Sequence, residues 1–253
     1  MQMRALPIEG AAFPVICAPL VARTRASLID ETLAVAAKKP GLLEWRVDFF
    51  EGIANTGDVI ETLAAIRASA GSIPILFTRR SSGEGGQRIA IDEPQVLAMY
   101  RAVCKSKLAA MVDYEMSNAP AHVAQVREMS AANDVKLVLS FHDFDRTPDA
   151  EFLASRFALA QQLGADVAKV AVMPVDMIDV LGLLAATLEA NRSLTIPVVS
   201  MAMGGFGAVT RLCGWTFGSA MTFAVGQSSS APGQMPIEEI AAGVAMLKRA
   251  LGS

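Results

Sequence analysis

Lys169 occupies the least forgiving place for an ammonium group in this 253-residue chain, inside the run Asp166-Val167-Ala168-Lys169-Val170-Ala171-Val172-Met173. A lysine flanked in this way is expected to be desolvated. Desolvation disfavours the charged form and lowers the pKa from its ordinary ~10.4, which leaves more neutral amine near neutral pH for attack on a carbonyl. The structural alternative is a lysine paired with a strand carboxylate or snorkelling out of the sheet end. The chain has two histidines. His122 follows Pro120 where a helix would begin and reads as a surface residue. His142 follows the apolar run 136–141, one strand before Lys169. Neighbouring parallel strands lie ~4.8 Å apart, so side chains at their ends can meet over one ligand, with imidazole moving a proton beside an imine carbon.

Other charged residues stand where apolar ones would be expected. Glu44, Arg46 and Asp48 alternate along an otherwise apolar run and, by the period of two, point to the same side. Three charges on one face are costly unless paired or in contact with a ligand, so they read either as a structural salt-bridge cluster or as part of a site. Arg211 follows the glycine-bearing segment 202–209. A guanidinium there suits a carboxylate or a phosphate equally, but no helix-opening GxGxxG or P-loop pattern accompanies it. With one plausible histidine, no HExxH and no clustered His/Cys, no metal site is expected. A buried lysine, a histidine and several arginines predict Schiff-base chemistry on an anionic keto compound, and spacing alone does not name the substrate.

The elements that must hold these residues follow from hydrophobic periodicity. Short apolar runs at 13–18, 42–48, 73–78, 109–115, 135–141, 167–173, 196–201 and 221–225 have the bulk of buried strands. Helical periodicity fills the intervals at 28–37, 59–68, 93–103, 123–131, 151–163, 177–190 and 237–251. The repeat of about 30 residues is one βα unit, and eight units predict an α/β (β/α)8 TIM barrel, one catalytic domain over 1–253, ahead of a doubly wound open sheet. Sites in barrels are built at the C-terminal strand ends, where the charged residues above fall, and the loop-like stretches 81–86 and 226–233 both follow a strand.

Composition narrows the rest. Lys and Arg total 22 and Asp and Glu 25, for a formal charge of −3, and 53% of residues are hydrophobic. That balance leaves no basic field for nucleic acid and argues against disorder. Cys17, Cys104 and Cys213 are widely spread without a CxxC pair, which fits a reducing cytoplasm rather than a disulfide framework. The apolar stretch 11–22 is preceded by Glu9 and broken by Pro14 and Pro19, so it is not read as a cleaved signal. No run of ~18 apolar residues is present, so no membrane span is expected.

The ordered motifs Glu44-Trp45-Arg46-Val47-Asp48, Phe77-Thr78-Arg79-Arg80 with Glu84-Gly85-Gly86, Ser140-Phe141-His142-Asp143-Phe144, Ala168-Lys169-Val170-Ala171-Val172-Met173-Pro174, Ser200-Met201-Ala202-Met203 and Ser230-Ala231-Pro232-Gly233-Gln234 carry a resemblance. From Phe13 to the C-terminus the chain resembles the type I 3-dehydroquinate dehydratases of the shikimate pathway. The resemblance implies dehydration of 3-dehydroquinate to 3-dehydroshikimate without a cofactor. It makes Lys169 the imine-forming lysine, His142 the general acid and base, and Glu84 the carboxylate that orients it. Arg211 would clamp the substrate carboxylate, and Glu44, Arg46, Arg80, Ser230 and Gln234 would contact hydroxyls or the carboxylate. Met201, Met203 and Phe223 would form an apolar wall, and 230–234 a closing loop. A homodimer is implied as well, with no stripe in the sequence to mark its interface. Two departures sit beside site residues: Arg79 where the family commonly has an aromatic residue, and Phe141 where many members carry Asn. They bear on rate and hydroxyl contacts rather than on the chemistry. A class I aldolase acting on a sugar phosphate would share the buried lysine but lacks a convincing phosphate loop here, and a catalytically dead barrel is opposed by Lys169, His142 and Glu84 standing together.

Overall fold

Eight parallel strands carry the apolar runs: β1 (Val15–Leu20), β2 (Leu42–Arg46), β3 (Ile75–Thr78), β4 (Met111–Glu115), β5 (Lys136–Asp143), β6 (Val167–Val172), β7 (Val198–Ala202) and β8 (Met221–Phe223). The structure is a computed structural model and describes residues 4–252. The strands form one sheet in the order β7-β6-β5-β4-β3-β2-β1-β8. The sheet closes on itself through a parallel bridge between Val198 and Ser219 and the Ala220 N–H donated to the Val198 carbonyl at 2.8 Å. This is the expected barrel, with a short seam beside the three-residue β8 in place of a full ladder.

Seven of the helices occupy the intervals read from the sequence: α1 (Arg25–Ala36), α2 (Thr56–Ser69), α3 (Glu93–Ser106), α4 (Pro120–Ala132), α5 (Ala150–Gln162), α6 (Met177–Ser193) and, last in the chain, α8 (Ile237–Leu251). Side-chain caps fix several starts, with Thr24, Asn55, Asp92, Asp149 and Asp176 each accepting from N–H groups of the first turn. The eighth helix, α7 (Ala208–Cys213), has no counterpart among the periodic segments. Six residues after a run of glycines, with no side-chain cap, are too few for a 3.6-residue period to register.

The continuous apolar runs are explained by two separate cores. One fills the barrel interior with Val15, Cys17, Leu42, Leu76, Met111, Val138, Val167 and Val199, and Leu6 from the segment before β1 joins it. The other lies between strands and helices. There Trp45, Phe77, Tyr100 and Tyr114 meet edge to face at centroid separations of 5.5, 5.5 and 5.4 Å. Strands buried on both faces need no alternation until charge appears on the inner side. No helix among the described residues is long and apolar enough to cross a membrane.

Candidate active site

Charge enters the interior one pleat above the apolar layer. On β2 the inward sequence runs Leu42, Glu44, Arg46; on β4 Met111, Asp113, Glu115; on β5 Val138, Ser140, His142; on β6 Val167, Lys169, Ala171. Strand register sets Thr78 beside Asp113, Glu115 beside Ser140, and Ser140 beside Lys169. β2 stops at Arg46 and residues 47–49 form a 3-10 turn, so Asp48 is not part of the strand as the alternation suggested. It still meets Arg46 in a two-pronged pair, Nε to Oδ1 and Nη2 to Oδ2 at 2.8 Å each. The salt-bridge reading thus holds for Arg46 and Asp48, while Arg46 and Glu44 also line the cavity.

That cavity, with about 430 Å³ of empty volume, is lined by Lys169, His142, Glu84, Glu44, Arg46, Arg80, Arg211, Ser230, Gln234, Met201, Met203 and Phe223. These are the twelve positions that the resemblance marks as site residues; Asp48, grouped with Glu44 and Arg46 in the sequence, is not among them. Phe144, Ala171 and Ala231 complete the lining and were not singled out.

Lys169 is 3% exposed, as its flanks required, but its ammonium is not left unpaired. Nζ donates to Asp113 Oδ2 at 2.9 Å, stands 3.7 Å from Glu44 Oε1, and lies 4.7 Å from the centre of the Phe223 ring. Desolvation and pairing, posed as alternatives from sequence, coexist because Asp113 reaches in from β4. Asp113 and Glu115 escaped the sequence reading. The signal was available, since they alternate on β4 as Glu44 and Arg46 do on β2. Arg80 ties this side together, donating to Asp113 Oδ1 at 2.8 Å, Glu115 Oε1 at 3.0 Å and Ser140 Oγ at 2.9 Å.

Glu84 arrives on a 3-10 turn (Ser82–Glu84) after β3 and faces His142. Its Oε2 is 2.9 Å from His142 Nδ1, and Ser117 Oγ donates to its Oε1 at 2.6 Å. Burial and the neighbouring Glu115 push the Glu84 carboxyl up to about 7, with Arg80 and the Ser117 bond opposing. Burial, then Arg80 and Lys169, hold His142 well below the usual imidazole range, so the ring is neutral at neutral pH. Once Glu84 is ionised, its Oε2 accepts a hydrogen bond from His142 Nδ1–H, which leaves the ring's lone pair on Nε2.

Across the cavity Arg211 is 1% exposed, yet no carboxylate among the described residues pairs with it. Nη1 and Nη2 donate to the carbonyls of Phe223 and Pro232 at 3.3 and 3.0 Å, and Nε has no partner. Burial lowers its pKa to about 10. A buried cation without a counter-charge is a built receptor for an anion. The segment carrying Ser230 and Gln234 lies over this side. Gln234 Nε2 donates to Ser230 Oγ at 3.2 Å, and Gly233, at φ +76°, sits so close to Gly204 that a Cβ would come within 2.3 Å of the Gly204 carbonyl oxygen.

The two departures noted in the sequence face away from the cavity, Phe141 by its place in the pleat of β5 and Arg79 as the residue just past the end of β3. Arg79 is bound to Glu93, and its backbone N–H donates to Tyr100 Oη at 3.1 Å. Phe141 packs on Phe152 at 5.5 Å. Neither lines the cavity, so neither is placed to contact substrate hydroxyls directly.

The type I 3-dehydroquinase family model matches residues 16–250. A 3-dehydroquinate dehydratase of Albidiferax ferrireducens is 56% identical over 246 residues, 97% of this chain and 93% of that one. Another, from Geobacillus thermodenitrificans, is 51% identical over 231 residues, 91% and 90% of the two chains. The crystal structure of 3-dehydroquinate dehydratase from Geobacillus kaustophilus superposes with a TM-score of 0.93 at 48% identity, over 95% of this chain and 93% of that one. With the family model spanning residues 16–250 and such identity along nearly the whole chain, this protein belongs to the type I 3-dehydroquinase family.

Proposed function

We propose that the chain dehydrates 3-dehydroquinate to 3-dehydroshikimate through a Schiff base on Lys169, without a cofactor. The observation that carries this reading is a buried lysine and a buried, unpaired arginine facing one cavity. A ketone carbon can approach Lys169 Nζ while a carboxylate on the same small molecule meets Arg211. Transfer of the lysine proton to His142 frees the amine to add to the ketone, forming the C–N bond. Proton return and loss of water leave a protonated imine. The charge at nitrogen is +1 before and after, and the balance is ketone plus ammonium giving iminium plus water.

His142 Nε2 then removes the proton on the adjacent carbon, and the electron pair moves toward the iminium nitrogen. The imidazolium returns that proton to the departing hydroxyl, the C–O bond breaks, and water leaves. Hydrolysis of the conjugated iminium restores Lys169. Glu84 keeps His142 in the tautomer that presents Nε2. Glu44, Arg46, Arg80, Ser230 and Gln234 hold the substrate's oxygens, while Met201, Met203 and Phe223 exclude water from the imine.

The same reading assigns the enzyme to the shikimate pathway in the cytoplasm, as a homodimer and a single catalytic domain. Three free cysteines, two of them buried, support a reducing compartment, and sedimentation velocity checks the dimer. The decisive experiment mixes the protein with 3-dehydroquinate and borohydride, followed by intact mass and peptide mapping. A stable adduct on Lys169 is expected. A folded protein that consumes 3-dehydroquinate without ever giving an adduct would sink the imine mechanism.

A further inference from the structure

Asp113 is the most enclosed charge in the interior, at 0% exposure. Its two oxygens are treated differently. Oδ1 accepts from Arg80 Nη2 at 2.8 Å and from Ser140 Oγ at 2.6 Å, whereas Oδ2 accepts from Lys169 Nζ alone, at 2.9 Å. One side of the carboxylate is anchored and the other is aimed at the reacting nitrogen. Tyr100 Oη donates to the Asp113 backbone carbonyl at 2.6 Å and fixes the strand beneath it.

Several titratable groups surround this pair. Cys17 enters from β1, Glu44 from β2, Arg80 and Glu84 from β3 and the turn after it, Glu115 from β4, and His142 from β5. Glu44 is the other carboxylate near Lys169, but it stands at 3.7 Å and accepts from Thr78 Oγ1 at 3.0 Å. Burial alone would push the Asp113 carboxyl up, yet Arg80, Lys169 and His142 hold it well below the usual range, so it stays an anion. A group so reluctant to take a proton is a poor base. Its suitable work is electrostatic.

We infer that Asp113 is the fixed counter-charge of the Lys169 nitrogen through the reaction cycle, keeping the imine in its protonated, electron-withdrawing form. The inference rests on the Schiff-base reading given above. The nitrogen is +1 as ammonium, +1 as iminium, neutral as the enamine after removal of the carbon-bound proton, and +1 again once the hydroxyl has left. The proton and the electron pair move between substrate, nitrogen and His142, and Asp113 gains neither. Preorganised charge of this kind needs no rearrangement when the cation forms. Without it the iminium would lose its N–H proton at lower pH and become a neutral imine, which is a weak electron sink.

The test is the pH dependence of kcat and of borohydride trapping in Asp113→Asn. Arg80 also pairs with Glu115 at 3.0 Å and Glu84 at 3.7 Å, contacts that the substitution does not itself remove. An opposite charge within ~4–6 Å shifts a titration by about 1–3 units, so the alkaline limb of both profiles is expected to move down by about that amount. A purely structural role would lower the amplitude and leave the limb in place, and that result in a folded variant overturns the inference. If Asp113→Asn does not fold, Asp113→Glu is read instead, since it keeps a carboxylate but displaces it from Lys169 Nζ, which Asp113 Oδ2 meets at 2.9 Å. A smaller downward move of the limb supports the inference, and an unmoved limb overturns it. A wild-type protein that gives no adduct would instead fail the Schiff-base reading itself, which keeps the two failures apart.

Discussion

Glu84 holds His142 with a single oxygen: Oε2 accepts the His142 backbone N–H at 3.0 Å and lies 2.9 Å from the ring's Nδ1. The contact fixes the strand and the ring together, and it joins residues 58 apart in sequence. Ser117 takes the other oxygen, so the carboxyl has little freedom to turn. Orientation of the imidazole is thus set by a group that itself sits in an unfavourable, buried place.

Glu84→Gln should lower kcat by less than the ~10²–10⁴ expected for His142→Ala, because the base remains and only its tautomer and aim are loosened. In the wild type the acid limb of kcat/KM should centre near pH 7, where Glu84 takes up its proton. Steady-state profiles of both proteins check this. An acid limb unmoved in Glu84→Gln would show that the limb does not report the protonation of Glu84.

The same substitution should stabilise the fold at pH 8. The folded Glu84 carboxyl, at about 7, lies above its ordinary 4.5, so its ionisation costs stability as pH rises through that window. Replacing it by a neutral amide should raise stability at pH 8 by on the order of 1–3 kcal/mol, and the gain should vanish toward pH 4.5. Urea unfolding at the two pH values decides it.

Arg211→Ala should weaken binding of carboxylate-bearing ligands by ~10–100-fold, the range for losing a hydrogen bond to a charged group. The effect should appear mainly in KM, measured beside calorimetric titration with a non-reacting carboxylate analogue. Unchanged affinity would move the carboxylate subsite elsewhere.

Gly233→Ala places a Cβ within 2.3 Å of a backbone oxygen and in a left-handed conformation. A left-handed residue other than glycine costs roughly 1–2 kcal/mol, so the segment over Arg211 should spend less time seated and KM should rise by ~5–30-fold. Equal KM in the two proteins would show that this seating does not contribute to binding.

Arg79→Leu should leave kcat/KM within about threefold, since Arg79 faces α3 and not the cavity. It should nonetheless cost about 1–3 kcal/mol, because Glu93 is left without its cation and Arg79 is buried. Thermal unfolding and steady-state kinetics on one preparation separate the two effects.

Much of the barrel and of its mouth is legible in the order of residues alone. The run around Lys169 and the alternation of Glu44 with Arg46 are local signals, written in residues whose charge contradicts their surroundings. Asp113 carries the same signal on β4, but its role depends on a partner 56 residues away that only the closed barrel supplies. Arg79 and Phe141 mislead for the opposite reason: adjacency in sequence to a site residue means, on a strand, facing the other way. The short α7 and the three-residue β8 fall below the length at which periodicity speaks.

The division of the apolar residues into an interior group and an outer group has a consequence for how this enzyme can change. Between strands and helices, Leu183 and Ile66 are fully buried and take no part in lining the cavity, so truncation to Ala would cost ~2–5 kcal/mol of stability with the chemistry left in place. Inside the mouth, charge has displaced grease, and substitutions there are expected to alter turnover directly. Melting temperature and turnover are therefore adjustable at different addresses in the chain, one in the outer shell and one at the inner strand ends.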